Sequence, residues 1–245
     1  PTHIAVAFDP HGPTFRHEQY PKYKANREEQ PEDIGVAIPW IQKILKGFHI
    51  PILCVPGFEA DDVIGTIAKR AGDDGFTVYM VTPDKDYGQL LTHAGVYIYK
   101  PPAFGNPHEI VDAAKICEKW DIDHVDKVRD ILGLMGDAVD NIPGIPGIGE
   151  KTAAKLVYEF ENVDNLILEA SKGNASISKR IAASILDSNE YIINAIKVVT
   201  LKSDLDIDLS RRSHGISITE LRSKYQNLKI GNQLDTFNDS SKSRS

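Results

Sequence analysis

Three short apolar runs, each delivering carboxylates where it stops, restrict this chain more than any other feature. HIAVAFD (3–9) ends on Asp9, and HIPILCV (49–55) leads through Pro56 and Gly57 to Glu59, Asp61 and Asp62. FTVYMVT (76–82) runs into Asp84 and Asp86. Short β-branched and apolar runs bounded by Gly, Pro or Asp read as buried strands. GVYIYK (95–100) reads as a fourth strand, at an edge. Between them, 36–48 and 59–71 have helical spacing, while the polar 21–34 reads as loop or exposed helix. From Ile110 to about Val199 the pattern is helical throughout, and 218–225 is a candidate last helix. Strands alternating with helices, then helices alone, predict an α/β fold. Its central sheet is mostly parallel with flanking helices, and a helical region follows.

In an open parallel sheet, ligands bind beyond the carboxyl ends of the strands. The six acids named above therefore converge on one edge, and Asp137 and Asp140 of GDAVDN bring the cluster to eight. Crowded carboxylates raise one another's pKa, and only Lys85 lies inside the clusters to offset them. A hard divalent cation resolves the conflict, and oxygen-only donors favour Mg²⁺ or Mn²⁺ over zinc. More acids than one ion needs point to two ions, an arrangement that clamps both oxygens of a phosphodiester displacement. One acidic cluster alone is more often a helix cap; recurrence at three strand ends favours ligands. No zinc-protease, EF-hand or P-loop spacing is present. The net charge of −7 excludes a non-specific nucleic-acid coat. It does not exclude a nucleic-acid partner whose phosphates meet bound cations. Cys54 and Cys117 lack CxxC spacing and read as reduced thiols, and no signal peptide or apolar span of membrane length is visible. A cytoplasmic location is expected.

NIPGIPGIGEKTAAKL (141–156) places Gly144, Gly147 and Gly149 in a loop before a helix opening on Lys151 and Thr152, with Lys155 one turn on. Glycines and a helix N-terminus suit a phosphate backbone, although a plain connector has the same punctuation. FRHEQYPKYKANR (15–27) interleaves Arg16, Lys22, Lys24 and Arg27 with Phe15, Tyr20 and Tyr23. That mixture suits stacking and phosphate contact on a single strand, and a solvated loop explains it equally well.

Taken in order, AFDP, FRHEQYPKYKANR, PGFEADDVIG, TPDKDYGQL and LMGDAVDNIPGIPGIGEKTAAKL resemble the 5′-nuclease domains of the flap endonuclease superfamily, as found in bacterial DNA polymerase I. The resemblance covers residues 3 to 202. It implies a PIN-like α/β nuclease core over 1–130, with an arch segment at 11–34. A helical DNA-binding region with a helix–hairpin–helix variant would follow over 131–202, then a C-terminal segment (203–232) and a disordered tail (233–245). It implies that Asp9, Glu59 and Asp61 hold one metal and that Asp84, Asp86 and Asp140 hold a second. Asp62 and Asp137 would support them through water. Lys24 and Arg27 would contact the scissile phosphate. Arg16 and Tyr23, with Gly144, Gly147, Gly149, Lys151, Thr152 and Lys155, would contact DNA, with potassium at the hairpin loop.

The implied activity is divalent-metal-dependent 5′-3′ exonuclease and 5′-flap cleavage on DNA and RNA primers in replication and repair. The implied partners are flapped, nicked or duplex DNA and the polymerase part of a parent chain; the nuclease would be a monomer and would need no membrane. The superfamily's first strand, which ends in a further aspartate, has no counterpart before AFDP. The expectation is therefore a piece of a longer polypeptide, weakly active or inactive alone. A non-catalytic DNA-junction binder is the alternative reading, and a small-substrate phosphatase a third.

Overall fold

The computed structural model describes residues 1–103 and 105–208. The candidate helix at 218–225, most of the 203–232 segment and the tail lie outside them. Two compact units emerge, one from Pro1–Val6 and Glu29–Leu53, the other from Ala7–Glu28 and Cys54–Ile207. Among the described residues no helix is long and apolar enough to cross a membrane.

The first unit is built on one long helix. Strands β1 (Val6–Ala7) and β2 (Ile52–Leu53) form a two-stranded sheet, with the Val6 N–H on the Pro51 carbonyl at 2.9 Å. The unit's helix runs Glu32–Gly47, starting earlier than the apolar spacing predicts. Glu32 and Asp33 occupy its first turn, where carboxylates offset the exposed N–H dipoles. Pro39 consequently lies inside the helix rather than near its start.

In the second unit, chain order runs from α1 (Phe15–Gln19) past that long helix, α2, to α3 (Ala60–Asp73). Strands β3 (Val78–Val81), β4 (Val96–Lys100) and β5 (Glu109–Val111) make a sheet in the order β3-β4-β5. β3 and β4 are parallel, with Val78 opposite Val96, and β4 and β5 are antiparallel, with Ile98 opposite Val111. β4 is thus central, not an edge. The third strand sits where a helical pattern was expected, because three residues are too few to display a period of two. Met80, Val96, Ile98 and Val111 turn inward and are buried, while Tyr79 is exposed.

Helices α4 (Ala113–Trp120), α5 (Val128–Met135), α6 (Glu150–Phe160), α7 (Val163–Ser171), α8 (Lys179–Asp187) and α9 (Asn189–Val199) follow. The centre is α5, whose Val128, Ile131, Leu132 and Leu134 are fully buried. It packs on α6 and α9. The α9 crossing is so close that a Cβ on Gly133 would come within 2.3 Å of Ile196 Cγ1. Helix starts are fixed by side chains: Asp112 accepts from the Lys115 N–H, and Asn162 from the Asn165 N–H, each at 2.9 Å. Past α5 the chain doubles back, with the Asp137 N–H and Ile142 carbonyl, and the Ile142 N–H and Asp137 carbonyl, paired at 2.8 Å. Ile142, Ile145 and Ile148 are buried at every third position and anchor the loop into α6.

Candidate active site

Five segments of the second unit, the last of them 198–201, meet at one cavity of about 50 Å³, whose lining includes Glu59, Asp61, Asp84, Asp86, Asp137 and Asp140. Each segment delivers its acids for a local reason. Glu59 precedes the first turn of α3, which carries Asp61 and Asp62 and favours negative charge. Asp84 and Asp86 follow β3, where the Asp84 Oδ1 accepts the Asp86 N–H at 2.9 Å. Asp137 and Asp140 belong to the turn after α5, and the Asp137 Oδ1 accepts the Val139 N–H at 2.8 Å. The fourth segment, beyond α1, supplies Tyr23, Lys24 and Arg27.

Positive charge is more abundant here than sequence clustering implies. Lys24 Nζ lies 2.6 Å from Glu59 Oε1, an Arg27 nitrogen 2.6 Å from Asp140 Oδ1, and Lys85 Nζ 3.0 Å from Asp137 Oδ2. Burial lowers the Lys85 pKa, but its hydrogen bond to Asp137 and the charges of Asp137, Asp86 and Asp84 together outweigh it, and the amine is held above its ordinary value. The expectation that Lys85 alone offsets the acids is corrected accordingly. Arg16, Lys24 and Arg27 are remote in sequence, and only the fold brings them in.

Two phenols complete the wall. The Tyr23 hydroxyl is 2.9 Å from both Glu59 Oε2 and Asp140 Oδ2, and its single proton serves one of them at a time. Tyr87 donates to Asp61 Oδ1 at 2.6 Å. Burial and then the neighbouring acids raise both phenol pKa values, so both remain donors. Tyr87 was not singled out in the sequence. Its position directly after Asp86, at the end of an acid-bearing strand, is the one signal that could have found it.

The cluster remains under-compensated. Burial, then Asp84 and Asp137, push the Asp86 carboxyl up to about 7, and burial raises Asp61 despite the Tyr87 hydrogen bond. The Asp86 Oδ1 is buried with no hydrogen-bond partner. A buried oxygen without a donor, among acids that raise its pKa, fits a hard divalent cation. Among the described residues no three His, Cys, Asp or Glu side chains enclose a single ion position. Glu59, Asp61, Asp137 and Asp140 are turned instead toward the Lys, Arg and Tyr partners just described.

Of the other expected site residues, Arg16 and Tyr23 also line the cavity, and the rest are not among its lining. Asp9 is exposed and caps α3, its Oδ1 accepting the Ala60 N–H at 2.8 Å. Asp62 is 0% exposed and has no open face toward the cavity. Arg16 is 1% exposed and bound two-pronged to Asp62 at 2.6 and 2.8 Å, so its guanidinium is not presented to DNA. The Tyr23 ring is 4% exposed, packed edge-on to His17 and covered by Lys24, and offers no open stacking face. Gly144 serves the chain's own packing, since a Cβ there would meet the Met135 carbonyl oxygen at 2.1 Å. Gly147, Gly149, Lys151 and Lys155 are exposed around the start of α6, and Thr152 is half-buried.

Two family models divide the chain between them. Residues 1–121 match the N-terminal resolvase-like domain of 5′-3′ exonucleases, and residues 124–235 match their C-terminal SAM fold. An acid-lined resolvase-like sheet followed by a SAM-type helical region defines a nuclease. The chain belongs to the 5′-3′ exonuclease family. It is 33% identical to a 5′-3′ exonuclease of Aquifex aeolicus over 96% of this chain and 78% of that one. It is 35% identical to DNA polymerase I of Bacillus caldotenax over 86% of this chain, which spans only 23% of that polymerase. Among solved structures, the T5 5′-exonuclease with bound zinc matches 81% of this chain and 74% of its own at 25% identity, with a TM-score of 0.65. The catalytic core of Rad2, solved with a DNA substrate, shares the fold at 18% identity with a TM-score of 0.58, over 92% of this chain and 73% of its own.

Proposed function

We propose that this chain is a divalent-metal-dependent 5′ nuclease that hydrolyses phosphodiesters of DNA, and of RNA primers, near the junction of a 5′ flap or nick with duplex. The observation that carries the reading is the convergence of six carboxylates on one small cavity, with an unpartnered buried oxygen on Asp86. Glu59, Asp61, Asp84, Asp86 and Asp140 would hold Mg²⁺ or Mn²⁺, two ions in all, and Asp9 and Asp137 would stand behind them. When bound, such ions lower the pKa of a water and neutralise phosphate charge. Tyr87 fixes one Asp61 oxygen, and Tyr23 donates to Glu59 or to Asp140, one at a time. Lys24 and Arg27, 18% and 50% exposed, are the cations placed to leave their carboxylates and meet a phosphate. The exposed loop of Gly147 and Gly149, with Lys151 and Lys155 on the first turns of α6, would grip the duplex backbone, and the loop carbonyls would hold potassium.

The test is incubation with a 5′-labelled flap duplex in Mg²⁺, Ca²⁺ or EDTA. Weak cleavage near the junction, in Mg²⁺ alone, is expected. Tight flap binding in all three conditions without cleavage in Mg²⁺ would leave a junction-binding module. Turnover of a small phosphate ester without DNA binding would place the chain among phosphatases.

A further inference from the structure

A heavily bonded ion pair of the second unit, whose Arg16 borders the cavity while Asp62 lies beyond its lining, takes part in none of the roles just proposed. Arg16 and Asp62 are 1% and 0% exposed, and each is used on every side. Beyond its two bonds to Asp62, Arg16 donates from Nε to the Val198 carbonyl at 2.8 Å and from a terminal nitrogen to the Thr200 carbonyl at 3.2 Å. Its other terminal nitrogen lies 3.3 Å from Glu59 Oε2. Asp62 Oδ2 also accepts the Glu59 N–H at 3.0 Å, and Oδ1 accepts the Lys202 N–H at 2.8 Å.

The same strap of chain is tied along its length by other side chains. Gln89 takes the Val199 carbonyl at 3.1 Å and the Leu201 N–H at 2.9 Å. Thr66 Oγ1 accepts the Leu205 N–H at 3.2 Å, and Arg70 donates to the Leu205 and Ile207 carbonyls. Residues 198–207 thus replace strand pairing with side-chain anchors from α1, α3 and the turn after β3. Glu59 sits where this network reaches the cavity, held at its backbone by Asp62 and at its carboxylate by Arg16.

We infer that Arg16 and Asp62 are positioning residues for the nuclease reaction: together they fix Glu59 and make its placement depend on the strap that continues α9. They act through Glu59 and touch neither substrate nor metal. This assignment rests on the proposed nuclease function. Outer partners that orient a ligand carry about 10–100-fold in metal affinity or activity, which sets the size of the expected effect.

The experiment uses the full chain with Arg16→Gln, Arg16→Lys and Asp62→Asn. Four quantities are read: kcat and KM on a 5′-flap duplex, the salt dependence of flap binding, Mn²⁺ affinity by electron paramagnetic resonance, and amide exchange at Glu59 and Lys202. Arg16→Gln is expected to lower kcat about 10–100-fold with KM and salt slope unchanged. Mn²⁺ binding should weaken, and both amides should exchange faster. Arg16→Lys should recover part of each loss, because one of the two prongs remains. Should Arg16→Gln fail to fold, Asp62→Asn, which retains one carbonyl oxygen, carries the same readouts. Raised KM and a salt slope smaller by about one charge, with kcat intact, would make Arg16 a DNA contact and overturn the inference. So would lowered thermal stability with unchanged kcat, Mn²⁺ affinity and exchange at Glu59. If the wild-type chain cleaves nothing, the functional reading fails, and the Mn²⁺ and exchange measurements still decide whether Glu59 is held this way.

Discussion

Replacing Asp86 by Asn should make the metal-free chain more stable and the nuclease worse. In the folded state burial, Asp84 and Asp137 carry the Asp86 carboxyl from its ordinary 3.8 to about 7. A carboxyl whose pKa is raised on folding binds its proton more tightly in the folded chain, so its contribution to stability declines as pH rises between about 4 and 7. At pH 8 the full penalty is present, and the displacement corresponds to at most about 4 kcal/mol. Asn removes that charge at nearly the same volume. The assay is urea unfolding of both chains in EDTA at pH 4.5, 6 and 8. The variant should gain most stability at pH 8, less at pH 6, and only about 1 kcal/mol at pH 4.5. Added Mg²⁺ should then favour the parent, since a ligand at one hundred times its Kd contributes about 2.7 kcal/mol. A pH-independent difference between the two chains, or a destabilised variant at pH 8 without metal, would refute the argument.

Other consequences can be checked as directly. Leu132→Ala, at a fully buried position of α5, should cost about 2–5 kcal/mol in unfolding experiments. Gly144→Ala places a Cβ 2.1 Å from the Met135 carbonyl oxygen. Backbone cannot yield as a side-chain tip can, so a loss of about 1–3 kcal/mol is expected together with slower flap cleavage. Changing Lys151 and Lys155 to Gln should reduce the slope of log binding constant against log salt by about two charges on duplex DNA, whereas an unchanged slope would remove them from the interface. Lys24→Met should lower kcat on flap substrate while Mn²⁺ binding to the free chain tightens, because a competing cation has left Glu59.

How much of this could be read in advance depended on sequence distance. The strand-end acids were legible because each is local: a run stops, a helix or turn begins, and the carboxylate stands at the junction. Their partners were not. Arg16 meets Asp62 across 46 positions, Lys24 meets Glu59 across 35, and Arg27 meets Asp140 across 113. No periodicity encodes such pairings. The basic and aromatic interleaving of 15–27 therefore suggested a DNA-facing surface, although Arg16 and Tyr23 turn inward to satisfy buried acids. β5 escaped notice for a different reason: it is three residues long and antiparallel, within a stretch dominated by helical spacing. The glycines after α5 were legible as a loop, but not that Gly144 answers to Met135 rather than to a phosphate.

The doubled-back turn after α5 has a geometric consequence. Between Asp140, at the acid cavity, and Lys151, on the exposed start of α6, the path is the ten residues 141–150. It is pinned by the paired Asp137 and Ile142 backbones and by three buried isoleucines. Little slack is left in that path. If the chain cuts and grips as proposed, these residues act as a ruler, setting how far from the clasped duplex the scissile bond must lie. An inserted residue between Ile142 and Ile148 should then move the position of the cut along the substrate, visible on a sequencing gel, before it changes the rate.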